Sequence, residues 1–177
     1  MDPRLPADFV PDGGGAGPPV ELFRRDAPLP LVCDDVTPPE ATEVTVSVRT
    51  SPAGGRFAPR NVGAIWIERP GGVFVRTLAQ WGQVRRRYLT AFLAASRGDV
   101  VDAVTGATLR SHQVHEVRWD LRDARRCAVG AGSFVLALEL TDRNGAGPVL
   151  RVPFELARGV RVTAEDAVFH ELELTAR

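Results

Sequence analysis

Seven consecutive residues, Asp102-Ala103-Val104-Thr105-Gly106-Ala107-Thr108, end in a hydroxyl set beside two minimal side chains. Gly106 and Ala107 leave the backbone uncovered, so a bulky phosphate donor can approach the Thr108 hydroxyl. Asp102 could position that hydroxyl, or a Mg2+ ion, during a transfer. The competing structural reading is a tight Thr-Gly turn that returns the chain to the body of the domain. Downstream, His112 and His115 stand three apart. On a helix that spacing would put both imidazoles on one face, as metal ligands need. Leading into a strand, it turns them to opposite faces, and only Asp99 and Asp102 are near as further ligands. Hydrogen bonding is therefore the expected role, and no metal is expected. His170 reads as an ordinary strand residue. Ser111-His112 is not a catalytic pair, because neighbouring side chains on an extended chain diverge, and no Gly-x-Ser-x-Gly elbow is present. Phosphate-loop and dinucleotide fingerprints are also missing.

The elements that must position these residues begin to emerge from composition. The chain has 177 residues, 44% apolar and 25% charged, which suits one domain plus a tail. Formal net charge is zero, from 22 basic and 22 acidic residues. No attraction to nucleic acid or to an anionic membrane is expected from that balance. All the basic residues are Arg, so no Lys amine is available for Schiff-base chemistry. Two cysteines, Cys33 and Cys127, are too few for a zinc ribbon or a disulfide scaffold. They pair if the protein is exported and stay free if it is not. No apolar run approaches the roughly 20 residues of a bilayer span. Residues 1–20 lack a basic segment followed by an apolar one, so they do not read as a Sec signal peptide.

Residues 1–40 read as a flexible Pro/Gly-rich tail, which Leu22, Phe23, Leu29, Leu31 and Val32 could pin to the body. From residue 41 to 177 the pattern is short alternating runs. Strands are expected from Val44, Val46 and Val48, over Val62–Glu68, Val73–Leu78, Val114–Leu121, Phe134–Thr141, Val149–Leu156 and Ala167–Leu174. Gly71-Gly72 makes a hairpin of the second and third. Phe134, Leu136, Leu138 and Leu140 alternate as though one face were packed and the other wet. About seven strands with short connections predict an all-β, immunoglobulin-like β-sandwich. Between the third and fourth strands, Trp81, Val84, Tyr88, Phe92 and Ala95 recur at helical spacing, predicting a helix over 82–96 that Gly98 ends. A helix-and-loop insertion at 80–111 thus carries the chemically interesting residues, as excursions from a rigid scaffold often do. Arg85-Arg86-Arg87 reads as the solvated face of that helix. Trp66, Trp81 and Trp119 read as core.

Two resemblances add to this. Val75 to Leu78, His115 to Asp123 and Val129 to Phe134 resemble the immunoglobulin-like domains of flagellar-hook capping proteins. That likeness implies Trp119 as core aromatic and a long hairpin turn over Asp120–Gly132. Asp102 to Thr108 is similar to the acceptor motif for covalent FMN attachment, Asp-x-x-(Ser/Thr)-Gly-Ala-(Ser/Thr). The wider pattern is Asn61 to Glu68, Val75 to Leu78, Arg86 to Leu89, the motif itself, then Ser111, His112 and His115. It resembles an uncharacterised family of predicted periplasmic proteins that often accompany flavin transferases and membrane electron-transfer proteins.

These resemblances imply a flavoprotein with FMN joined through its phosphate to Thr108, working as an electron carrier more than as a stand-alone enzyme. Thr105, Gly106, Ala107 and Asp102 would frame the attachment. Arg110, with one or two of Arg85 to Arg87, would hold the phosphate. His112 would neighbour the flavin, and Trp81 is the candidate to stack on its ring. The implied partners are a flavin transferase and membrane or periplasmic redox proteins. The implied location is periplasmic or otherwise extracytoplasmic, with the cytoplasm left open by the N-terminal sequence. The alternative is a cofactor-free immunoglobulin-like interaction or assembly module.

Overall fold

Val44, Val46 and Val48 alternate with Thr45, Ser47 and Arg49, and β-branched residues at period 2 favour a strand with one buried face. In the computed structural model, which describes residues 32–177, this run is β1 (Val44–Thr50), with its three valines buried. The expected tail lies mostly at residues 1–31, outside the described residues, as do Leu22, Phe23, Leu29 and Leu31. Eight further strands follow: β2 (Val62–Arg69), β3 (Val73–Trp81), β4 (Val104–Gly106), β5 (Val114–Trp119), β6 (Gly132–Thr141), β7 (Val149–Leu156), β8 (Arg161–Ala164) and β9 (Phe169–Ala176). They form two sheets, β5-β1-β9-β8 and β4-β3-β2-β6-β7, packed as a sandwich. Among the described residues no helix is long and apolar enough to cross a membrane.

The inner faces of both sheets meet in one large cluster. Val46, Ile65, Ile67, Trp119, Phe134, Leu136, Leu138, Leu172 and Leu174 all belong to it. Trp119 meets Phe134 edge-on at 5.1 Å between ring centroids, a favoured aromatic geometry, and donates its indole N–H to the Arg122 carbonyl at 2.8 Å. The hairpin between β2 and β3 turns at Pro70-Gly71, where Gly71 has φ 87° and Gly72 N–H closes back on the Arg69 carbonyl at 3.1 Å. A proline followed by a left-handed glycine is the type II arrangement.

Several expectations change. Among the described residues there are nine strands, not about seven: β8 and the three-residue β4 are too short to show a period. The other face of β6 is not wet. Ala137, Glu139 and Thr141 are buried, because the insertion folds over this face. There Val62, Ala64, Trp66, Leu89, Phe92 and Ala137 make a second apolar cluster. The helix over 82–96 is two pieces, a 3-10 turn (Gln83–Tyr88) and α1 (Thr90–Ser96), broken at Leu89. Burial explains the break. Leu89, which is not on the expected stripe, is fully buried while Val84, which is, is 85% exposed, so the stripe is anchored only in its second half, at Phe92. Asp120 to Gly132 is not a hairpin turn, since β5 and β6 lie in different sheets and the segment arches between them. Cys33 and Cys127 are joined, with Cα atoms 5.4 Å apart, which ties the strand-free segment before β1 to this arch.

Candidate functional site

The motif is an edge strand, not a tight turn. β4 runs parallel to β3, pairing Val104 with Ala79, Thr105 with Gln80 and Gly106 with Trp81. Parallel neighbours need a long crossover, and the 3-10 turn and α1 supply it. That is why the insertion comes before the motif. Ala79 and Trp81 belong to the inter-sheet core, so Val104 and Gly106 lie toward the seam of the sandwich and Thr105 lies on the outer face beside Gln80.

Thr108 follows β4 and is half-buried. Its Oγ1 lies beside the α-carbon of Gly82, 3.4 Å from where a β-carbon there would stand. Among the described residues no hydrogen bond engages the Thr108 or Thr105 hydroxyl. Thr105, Gly106, Ala107 and Thr108 line an open hollow of about 480 Å³ with Gln83 and Val84. Gly106 has an ordinary φ, and a β-carbon there would meet only the Trp81 Cβ at 3.8 Å. Neither backbone conformation nor packing requires a glycine at this position. Gly82 is the opposite case: it has φ 83°, and a β-carbon would run into Val62.

Both ends of the motif are clamped. At its start Asp102, in a left-handed conformation with φ 54°, receives a two-pronged contact from Arg126 (Nε to Oδ2 2.9 Å, Nη2 to Oδ1 3.0 Å) and a third bond from Arg76 Nη2 at 3.3 Å. Arg76 also donates to the Asp123 carbonyl at 3.0 Å, and its side chain is only 7% exposed. Asp123 accepts the Cys127 N–H at 2.8 Å, so the disulfide-bonded arch presents the Arg126 guanidinium. At the motif's end Leu109 and Asn61 exchange backbone bonds of 3.0 and 3.1 Å. Fully buried Asn61 then accepts the Trp81 indole N–H at 2.8 Å and donates to the Pro59 and Ser111 carbonyls. The strand advances about 3.3 Å per residue, so Asp102 and Thr108 sit at opposite ends. Both oxygens of Asp102 are committed to arginines.

The remaining sequence candidates are placed as follows. Trp81 is 5% exposed and stacks on His115 with centroids 4.2 Å apart and planes 18° from parallel. His112 Nδ1 sits 3.3 Å from the Thr50 hydroxyl. Burial lowers the proton affinity of His112, partly offset by the charge of Asp142. Burial first, and repulsion from His112 second, push His115 down to about 4, so its ring is neutral at physiological pH. The Nε2 atoms of both rings are buried and have no hydrogen-bond partner among the described residues. Arg85 is spent on the Asn144 side chain at 2.9 Å and on the Phe57 ring at 4.1 Å, and Arg87 lies over Tyr88 at 5.2 Å. Arg110 is exposed, with no ion pair among the described residues. No metal-holding cluster occurs among the described residues.

Sequence reasoning missed Arg76, Arg126 and Asn61, and with them Gln80 and Glu139. Glu139, Ala64, Gln80 and Thr105 form one cross-strand row on the outer face. Glu139 Oε2 accepts the Phe92 N–H at 2.8 Å and so caps α1 from another element. Burial raises its pKa, opposed by the N–H groups at the helix start. Both amide atoms of Gln80 are buried without a partner among the described residues. The available signal was a polar residue inside an apolar run, at Gln80 between Ala79 and Trp81 and at Glu139 between Leu138 and Leu140.

Fold and site together define a β-sandwich in which a half-buried threonine hydroxyl, without a hydrogen-bond partner among the described residues, follows an edge strand and lines an open hollow. The chain belongs to the family described as predicted periplasmic protein (DUF2271), whose model matches residues 41–168. The match takes in β1 to β8 and the whole motif and stops just before β9. No curated protein and no solved structure matches the chain. The family description gives a coarse extracytoplasmic location, and a disulfide suits an oxidising compartment.

Proposed function

We propose that this domain carries FMN as a phosphoester on Thr108 and relays electrons between extracytoplasmic redox partners. The observation that carries this reading is the bare ledge before the hydroxyl. Gly106 is a glycine that the fold does not need, on an exposed edge, two residues from a hydroxyl that has no hydrogen-bond partner among the described residues and lies at the lip of an open hollow. A flavin transferase would need that ledge clear. Its FAD substrate supplies the group: the Thr108 oxygen bonds to the FMN phosphorus, the pyrophosphate bond breaks, AMP leaves, and the hydroxyl proton passes to the transferase. No oxidation is involved.

Arg110, exposed and free of ion pairs among the described residues, would neutralise the phosphodiester. Arg85, held by Asn144 and Phe57, fits that role less well. Asp102 serves by fixing the start of β4 through Arg76 and Arg126. Once attached, FMN supplies the redox chemistry, and the protein supplies attachment, orientation and electrostatics. The partners are the flavin transferase and membrane or periplasmic redox proteins.

The test is intact mass after co-expression with a flavin transferase in a compartment supplied with FAD, for wild type and Thr108→Val. A gain of one FMN phosphoester in wild type alone supports the carrier. No gain, with the transferase active on a known acceptor, overturns it and favours a cofactor-free interaction module.

A further inference from the structure

Two edge strands flank the open side of the sandwich. Among the described residues β4 ends the five-stranded sheet and β5 ends the four-stranded one, each with a hydrogen-bonded strand neighbour on one side only. Between them lies a hollow of about 240 Å³. Val104 and Val114 stand at its mouth, 70% and 40% exposed, and give it an apolar rim. Trp81 and His115, stacked on each other, line it more deeply. The hollow and the one beside Thr108 share Thr105 and Gly106. Gly106, with no side chain, is a saddle between them.

Resting on the proposed attachment, we infer that this seam is the seat of the isoalloxazine ring, reached from Thr108 by the ribityl chain crossing over Gly106. The chemistry of the ring matches the walls. Its dimethylbenzene end is apolar and suits Val104 and Val114. Its pyrimidine edge alternates carbonyl acceptors with an N–H donor, as a peptide edge does, and both seam strands have an edge without a strand partner. The His115 Nε2 atom, without a hydrogen-bond partner among the described residues, is a further polar group in the lining residues. Two expectations from the sequence change with this placement. His115 replaces His112 as the imidazole nearest the ring. Trp81 supports His115 from below, where its face is already covered.

The experiment uses the flavin-loaded protein, with attachment verified by intact mass. Visible circular dichroism of the flavin bands and iodide quenching of its fluorescence are compared among wild type, Val114→Arg, Val104→Arg and free FMN. Both valines are exposed, so the substitutions leave the core intact. The expected result is an induced dichroic signal and several-fold weaker quenching in wild type. Both effects should revert toward free FMN in the two variants at unchanged mass. A wild-type ester whose flavin behaves as free FMN overturns the seat and leaves attachment standing. A dichroic signal unaltered in both variants places the ring elsewhere and also overturns it. No mass gain in wild type removes attachment, and the seat with it.

Discussion

Removing the Cys33–Cys127 bond should lower stability more than any surface change and should loosen the motif as well. The bonded residues are 94 apart in sequence. In the chain-entropy description, releasing a loop of that length returns to the unfolded chain about 16 cal/mol/K, or about 4.6 kcal/mol at 25 °C. The measured loss should be smaller, on the order of 2–4 kcal/mol, because unfolded chains keep some order and the native segment has other ties. Those ties are the Ala131 N–H bond to the Thr37 carbonyl at 3.1 Å and the Arg125–Asp34 pair at 3.5 Å. For a domain of this size each kcal/mol corresponds to roughly 2–4 °C in Tm, giving a fall of about 10 °C. The assay is urea denaturation of wild type with and without a phosphine reductant, and of the Cys33→Ser/Cys127→Ala double variant. Free thiols are counted under denaturing conditions. The reduced protein should also lose order around Asp102, read as faster amide exchange over 102–106, since Arg126 is the residue before Cys127. Equal urea midpoints for oxidised and reduced protein would refute the reasoning.

Two further predictions concern the site. Gly106→Ala should fold within about 1 kcal/mol of wild type, whereas Gly82→Ala should cost more than 2 kcal/mol, because it combines a left-handed backbone with a clash against Val62; denaturant midpoints decide, and equal costs would contradict the geometry. The pH dependence follows from His115, which binds its proton at about 4 in the folded protein against 6.5 as its ordinary value. Above pH 6.5 the difference contributes nothing; on acidification below it the unfolded chain takes the proton first, so stability falls until about pH 4. Allowing for partial exposure, the loss should be on the order of 1–2 kcal/mol. Glu139 has the opposite sign, since a carboxyl whose pKa burial raises favours the folded state as pH falls. Comparing wild type with His115→Phe from pH 7 to pH 4.5 by urea midpoint isolates the histidine, and parallel profiles would sink the assignment.

Local pattern carried much of this molecule. The period-2 valines of β1, the Pro-Gly turn of the first hairpin and the leucines of β6 are each legible from neighbours in the chain, because side-chain alternation and turn conformation are local properties. The same holds for the motif's composition, a hydroxyl beside Gly106 and Ala107. What tertiary structure alone decided is where that hydroxyl stands. β4 is three residues long and has no period of its own; it is a strand because β3 offers an edge and the insertion supplies the crossover. The helix broke at Leu89 because Trp66 and its neighbours bury Leu89 and Phe92, and Glu139 caps the second piece from a different strand. The partners of Asp102 are 26 residues before it and 24 after it, and the seam between β4 and β5 exists only once two sheets have been laid together. Pairings of that range are set by the packing of whole elements, and a single sequence records them only as polar residues in places where apolar ones would be expected.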